Sequence, residues 1–172
     1  MLVGALAIPA VRAHGGPEPA LAPGDAIIEQ VIDGDTIEVR LRSGRHRVRL
    51  LGVDAPESVA PATPVQCYGP EAAHALGELL PPGTAVGLAA DIEERDHYGR
   101  LLAYVHRRHD GLFVNRWLVD QGYADAVSYE PNTTFQSTFA AAARAAEGSG
   151  RGLWAACDGP DQPLDPDQVP SS

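Results

Sequence analysis

Apolar and polar residues alternate along the first well-patterned stretch of the chain. Ala26–Ile32 is rich in β-branched residues, and Thr36-Ile37-Glu38-Val39-Arg40-Leu41-Arg42 alternates strictly, as a half-buried strand does. Ser43-Gly44-Arg45 reads as a turn, and His46–Val53 as the returning arm of a hairpin. Arg47 and Arg49 then share one face of that arm, and Val48 and Leu50 the other. The run Ser58–Gln66, with Pro61 and Pro64, reads as a loop.

The period then changes. Ala72, Leu76, Leu79 and Leu80 form a helical stripe that starts near Pro70 and stops at Pro81-Pro82. Thr84–Ala90 and Leu101–His106 are further strand candidates, joined by a charged turn over Asp91–Arg100. Val114, Trp117, Leu118 and Gln121 sit at helical spacing before Gly122. A last helix is expected from about Thr134 to Glu147, ended by Gly148–Gly152. Five short strands with a helix after the third suit an α+β, mainly β architecture: a five-stranded OB-type barrel with three helices. An open α+β sheet satisfies the same element order.

With 172 residues, the chain is long enough for one domain with a substantial core. Domain boundaries follow composition. Residues 1–13 read as a signal segment, 14–24 as a Gly/Pro/Ala linker, 25–157 as the folded domain and 158–172 as a disordered acidic tail. The signal reading places the protein outside the cytoplasm, secreted or in the cell envelope. No stretch is long enough to span a membrane. In an exported chain, an even cysteine count points to a disulfide between Cys67 and Cys157, against the alternative of two unrelated buried thiols. It would close a loop of roughly 90 residues, worth about 4–5 kcal/mol in the chain-entropy treatment before any native strain.

Net charge is -10, which opposes binding to a polyanion, although four aspartates of the tail contribute to it. All 13 Lys and Arg positions are Arg. Arg40, Arg42, Arg45, Arg47 and Arg49 lie between two acidic clusters, Asp33-Gly34-Asp35-Thr36 and Asp54-Ala55-Pro56-Glu57. The hairpin brings Asp35 and Asp54 together at one end. Carboxylates so placed suit a hard cation, and guanidinium groups suit phosphate. Glu57 is a candidate general base, and Arg49 with Arg100 are candidate phosphate-binding groups. Each has a plainer reading: Asp33-Gly34 as a turn, Glu57 as a solvated loop residue, Arg100 as one half of a surface ion pair with Asp91 or Glu94. The six histidines form no ligand pattern, and His106 and His109 read as exposed turn residues.

Taken in order, several motifs resemble the staphylococcal nuclease (thermonuclease) family. They are Val31–Thr36, Arg49–Glu57, Tyr68–Ala72, Asp96–Tyr104, Val114-Asn115, Tyr129–Thr133 and Gly152-Leu153-Trp154. The resemblance runs from about Ala26 to Trp154 and implies an OB-type barrel with three helices. It also implies a Ca2+-dependent phosphodiesterase acting on DNA and RNA and leaving 3′-phosphate products; a monomer is expected. Asp35 and Asp54 would ligate Ca2+ through carboxylates and Ala55 through its carbonyl. Glu57 would hold or deprotonate the attacking water, while Arg49 and Arg100 neutralise the phosphate. Tyr129 would lie beside the nucleotide. The sequence departs from the family pattern at Ala55 (commonly Thr), Val127 (often Tyr) and His97, which replaces a Lys near the phosphate and makes that contact pH-dependent. Rival readings are a non-catalytic OB-type module that binds nucleic acid or protein, and a phosphodiesterase for small nucleotides.

Overall fold

The computed structural model describes residues 24–58 and 64–164. The expected signal segment, all but the last residue of the expected linker, and residues 165–172 of the tail lie outside them. Seven strands are described: β1 (Asp25–Asp33), β2 (Thr36–Leu41), β3 (Gly44–Leu50), β4 (Val53–Asp54), β5 (Ala85–Ala89), β6 (Leu101–Arg107) and β7 (Asp125–Ala126). The helices are α1 (Gly69–Leu79), α2 (Val114–Asp120), α3 (Gln136–Gly148) and α4 (Leu153–Ala156), so a short fourth helix joins the three expected.

Five strands close a barrel in the order β1-β2-β3-β6-β5, with β5 returning to β1. Among the described strand pairs, only β3–β6 is parallel. The alternation read from the sequence is the burial pattern observed. Ile28, Ile37, Val39, Val48, Leu50, Val86 and Val105 point inward and are buried. Each such side chain contributes about 1.5–3 kcal/mol relative to exposure. Register shifts in β1 between Ile28 and Gln30, and between Val31 and Asp33, bend that strand as a small barrel requires. Pro70 sits in the first turn of α1, and the helix lays Ala72, Ala75 and Leu76 on the barrel. Leu51, Tyr104 and Phe139 form a second apolar cluster, with Phe113 and Phe135 against it.

Three local readings are corrected. The expected strand His46–Val53 is two strands, β3 and β4, separated by a turn at Leu51-Gly52. Gly52 has φ +77, and a Cβ there would collide with the Phe139 ring, so this turn requires glycine where α3 packs against it. Asp54 therefore lies on a separate short strand that pairs with β7, not on the strand of Arg49. His106 lies within β6 and stacks on Phe113 at 4.4 Å between centroids, half-buried rather than exposed in a turn.

The third correction concerns the tail. Cys67 and Cys157 are joined by a disulfide. The chain beyond it does not leave the domain at once. Cys67 N–H donates to Gln162 O at 2.9 Å, Leu164 N–H donates to Val65 O at 3.3 Å, and Gln66 bridges Pro163. Tethering by the disulfide brings Asp158–Leu164 alongside Val65–Cys67, where free backbone groups can pair.

Candidate active site

The β1–β2 turn is built around Gly34, where a Cβ would stand 2.6 Å from the Ala55 methyl and 2.9 Å from that of Ala72. Glycine thus allows three segments to meet, and Asp35 leaves the turn directly above them. Leu50 N–H donates to Asp35 O at 2.9 Å, and register pairs Thr36 with Arg49. Asp35 is only 7% exposed. Its carboxylate accepts from Thr36 Oγ1 at 2.9 Å and from Ala55 N–H at 3.1 Å, and it ion-pairs with Arg49 Nη1. Arg49 Nη2 reaches Asp54 Oδ1 at 2.7 Å. One guanidinium therefore holds both carboxylates. Burial pulls the Arg49 pKa below its ordinary value; Asp54 opposes that shift and the neighbouring charge of Arg100 adds to it.

A cleft of about 300 Å3 opens here, and Asp35, Asp54, Ala55, Glu57, Arg49 and Arg100 all line it. A larger cleft of about 500 Å3 shares Arg49 and Arg100 and continues to His97, Val127 and Tyr129. The two arginines thus form a common wall. An acidic chamber lies on one side and a roomier, partly apolar one on the other.

Arg100 is held by Asp96, not by Asp91 or Glu94. Its Nε donates to Asp96 Oδ2 at 2.6 Å and its backbone N–H to Oδ1 at 2.9 Å. The guanidinium also lies 5.4 Å from the centre of the Tyr98 ring. Burial alone would raise the Asp96 pKa, but the bonds from Arg100 and from Tyr98 N–H outweigh it and hold the carboxyl below its usual range.

Hydrogen bonds fix the loop that carries Arg100 against the loop that carries Tyr129. Asn132 accepts from Glu93 N–H at 2.8 Å and donates to Glu93 O at 2.9 Å. Asp91 accepts from the Tyr104 hydroxyl at 2.8 Å and from Thr134 Oγ1 at 2.9 Å. Tyr129 is left 67% exposed at the mouth of the larger cleft, with Tyr98 also exposed and His97 against it at 3.7 Å between ring centroids.

Three residues contribute in ways the sequence did not assign to them. Asp33 does cap its own turn, accepting from Gly34 N–H at 2.8 Å. It also lines the acidic chamber with Glu57 and accepts from Ser58 Oγ at 2.6 Å. Burial is the main cause of its raised pKa; the Ser58 bond opposes it and Glu57 adds to it. Asn115 is fully buried on α2. It accepts from Val105 N–H at 2.8 Å and donates to Leu51 O at 2.8 Å, so it pins the turn that leads to Asp54. Gln66 grips the backbone of Glu57 from both sides. Only the Asp33-Gly34 turn signal and the buried position of an Asn on an apolar stripe could have drawn attention to any of them.

A family model described as staphylococcal nuclease homologue matches residues 47–156. This chain belongs to that family. The staphylococcal nuclease match takes in Arg49, Asp54, Glu57, Arg100 and Tyr129 and begins downstream of Asp35. The chain is 40% identical over 128 residues to a thermonuclease of Staphylococcus intermedius, covering 74% of this chain and 74% of that protein. It is 39% identical over 125 residues to the thermonuclease of Staphylococcus hyicus, covering 73% and 72% respectively. Endonuclease YncB of Bacillus subtilis is 38% identical over 128 residues, 74% of this chain and 60% of that protein. The closed barrel agrees with the fold expected for this family.

Among the described residues, no three His, Cys, Asp or Glu side chains are grouped as a metal cage. The two site carboxylates nevertheless suit a hard cation. Both offer oxygen donors, and both already converge on one positive group, Arg49.

Proposed function

We propose that this chain is a metal-dependent nuclease that hydrolyses phosphodiester bonds of DNA and RNA, with Ca2+ as the metal and 3′-phosphate products. The observation that carries the reading is the shared wall of Arg49 and Arg100 between the Glu57 chamber and the Tyr129 cleft. The thermonucleases and endonuclease among its relatives support it.

Asp35 and Asp54, with the Ala55 carbonyl, would hold Ca2+. When bound, the ion supplies Lewis-acid stabilisation of phosphate charge. Glu57 stands across the same chamber as the group that accepts a proton from the attacking water. Arg49 and Arg100 donate to the phosphate oxygens as negative charge builds in the transition state. Asp96 keeps the Arg100 fork aimed, since it occupies Nε and leaves the terminal nitrogens to the substrate. Tyr129 offers a ring face to a base beside the reacting phosphate, and His97 adds positive charge only when protonated. The reading also takes the protein to be an exported monomer; the Cys67–Cys157 disulfide supports the export.

Digestion of single-stranded DNA and of RNA with Ca2+, and again with chelator, tests the proposal. Cleavage should require the ion, and Glu57→Gln and Arg100→Gln should each lower kcat by about 10²-fold or more. Parent-level cleavage in chelator would remove the metal role. Parent-level kcat in either variant would remove that residue's role. A non-catalytic binding module is the second reading. It is favoured by the pairing of both carboxylates with Arg49, and absence of cleavage under every metal condition would support it.

A further inference from the structure

The sequence reading treats Gln66 as the end of a loop, Cys67–Cys157 as a stabilising crosslink and the chain beyond it as a tail. In the structure these three features meet at one place, directly behind Glu57. Gln66 Oε1 accepts from Glu57 N–H at 2.7 Å, and Gln66 N–H donates to Glu57 O at 2.8 Å. The backbone of Glu57 is therefore held on both sides by a single residue. Gly69, at the start of α1, lies so close to Glu57 O that no Cβ could be accommodated there.

Gln66 is itself backed from behind. Its Nε2 donates to Asp161 Oδ1 at 3.3 Å, and its backbone bridges Pro163. The adjacent Cys67 N–H donates to Gln162 O at 2.9 Å, and the Cys67–Cys157 bond anchors the start of the same strap. The side-chain amide explains why this position carries a Gln. The carbonyl end must face a backbone donor while the amino end faces a carboxylate, and one planar group does both.

We infer that Gln66 is a positioning residue for Glu57, with the disulfide-anchored strap Asp158–Leu164 as its backing. The inference rests on Glu57 acting in turnover, as proposed above. A carboxylate that takes a proton must be held within a fraction of an ångström of its reactive position, and misplacement by about 1 Å costs on the order of 10²-fold in rate. Glu57 sits in a segment that belongs to neither a strand nor a helix. Its placement therefore depends on the Gln66 clasp and on the close approach of Gly69.

A double-mutant cycle on the full chain tests this. Gln66→Leu removes the side-chain acceptor and leaves the backbone bond Gln66 N–H to Glu57 O in place. Its kcat should fall about tenfold or more with KM changed less than about twofold, as when an outer partner of a reacting group is removed. In a Glu57→Gln background the same change should cost almost nothing further, because nothing remains to be positioned. A general loss of structure would instead lower both backgrounds alike, and that result overturns the proposal. So does parent-level kcat in Gln66→Leu. If Gln66→Leu does not fold, Asp161→Ala serves, since it loosens only the Nε2 end; a smaller kcat loss, again absent in Glu57→Gln, supports the inference, and equal losses overturn it. Parent-level kcat in Glu57→Gln alone is a separate outcome: it removes the role of Glu57 and with it this inference.

Discussion

Replacing Arg49 by Gln removes the guanidinium that holds Asp35 and Asp54 together. The two ion pairs are unequal. The Asp35 side chain is 9% exposed and that of Arg49 17%, whereas Asp54 is 45% exposed. Breaking a buried pair by removing one partner costs about 3–5 kcal/mol, because the remaining charge is left without compensation. An exposed pair is screened and contributes about 0–1 kcal/mol. The Asp35 pair therefore dominates, and the total is about 4 kcal/mol. For a domain of this size that corresponds to a fall of roughly 8–16 °C in Tm. Circular-dichroism melts in chelator measure it. Calcium supplies the sharper half of the experiment. If Asp35 and Asp54 are its carboxylates, the Arg49 guanidinium competes with the ion, and Arg49→Gln should bind Ca2+ at least about tenfold more tightly. At saturating ion that adds about 1.4 kcal/mol of extra recovery to the variant. Two results refute the reasoning: a variant that melts within about 2 °C of the parent in chelator, or Ca2+ that raises both melting points equally.

Asn115→Ala should destabilise by about 3–5 kcal/mol, because it leaves the buried Val105 N–H and Leu51 O without partners and opens a small void; urea midpoints measure this, and a loss under about 1 kcal/mol would contradict it. Asp96 has a depressed pKa in the folded protein, so its stabilisation is present above the unfolded value near about 3.9 and is lost as pH falls through the folded value. Asp96→Asn should therefore melt below the parent at neutral pH, with the gap narrowing as pH falls below about 4; a gap that does not narrow on acidification argues against the assignment. Arg47 is exposed on the face of β3 that leads to Arg49. Arg47→Gln should flatten the plot of log KM against log salt for a long single strand by about 0.7 and leave kcat on a dinucleotide unchanged; an unaltered slope removes any phosphate-steering role.

The sequence by itself determined the five barrel strands in their succession along the chain and the candidate residues at the hairpin end. Period-two alternation is a local property, and the inward side chains of β2 and of the end of β3 were legible from their neighbours in sequence. The motifs naming Asp35, Arg49, Asp54, Glu57 and Arg100 were equally local, and the fold places all five around one cleft. What only the tertiary structure decided depends on partners far along the chain. The turn after β3 accepts only glycine at position 52, because φ is positive there and Phe139, on α3, fills the space a Cβ would need. Arg100 turns to Asp96 rather than to Asp91, because Asp91 is already occupied by Tyr104 and Thr134. Asp33 meets Glu57, and Gln66 reaches from Glu57 to Asp161, through contacts whose geometry no spacing rule encodes. Burial patterns repeat within a few residues and can be read from them. Hydrogen-bond partners for a loop are chosen by whatever the closed barrel brings near, and the chain has to fold before that choice exists.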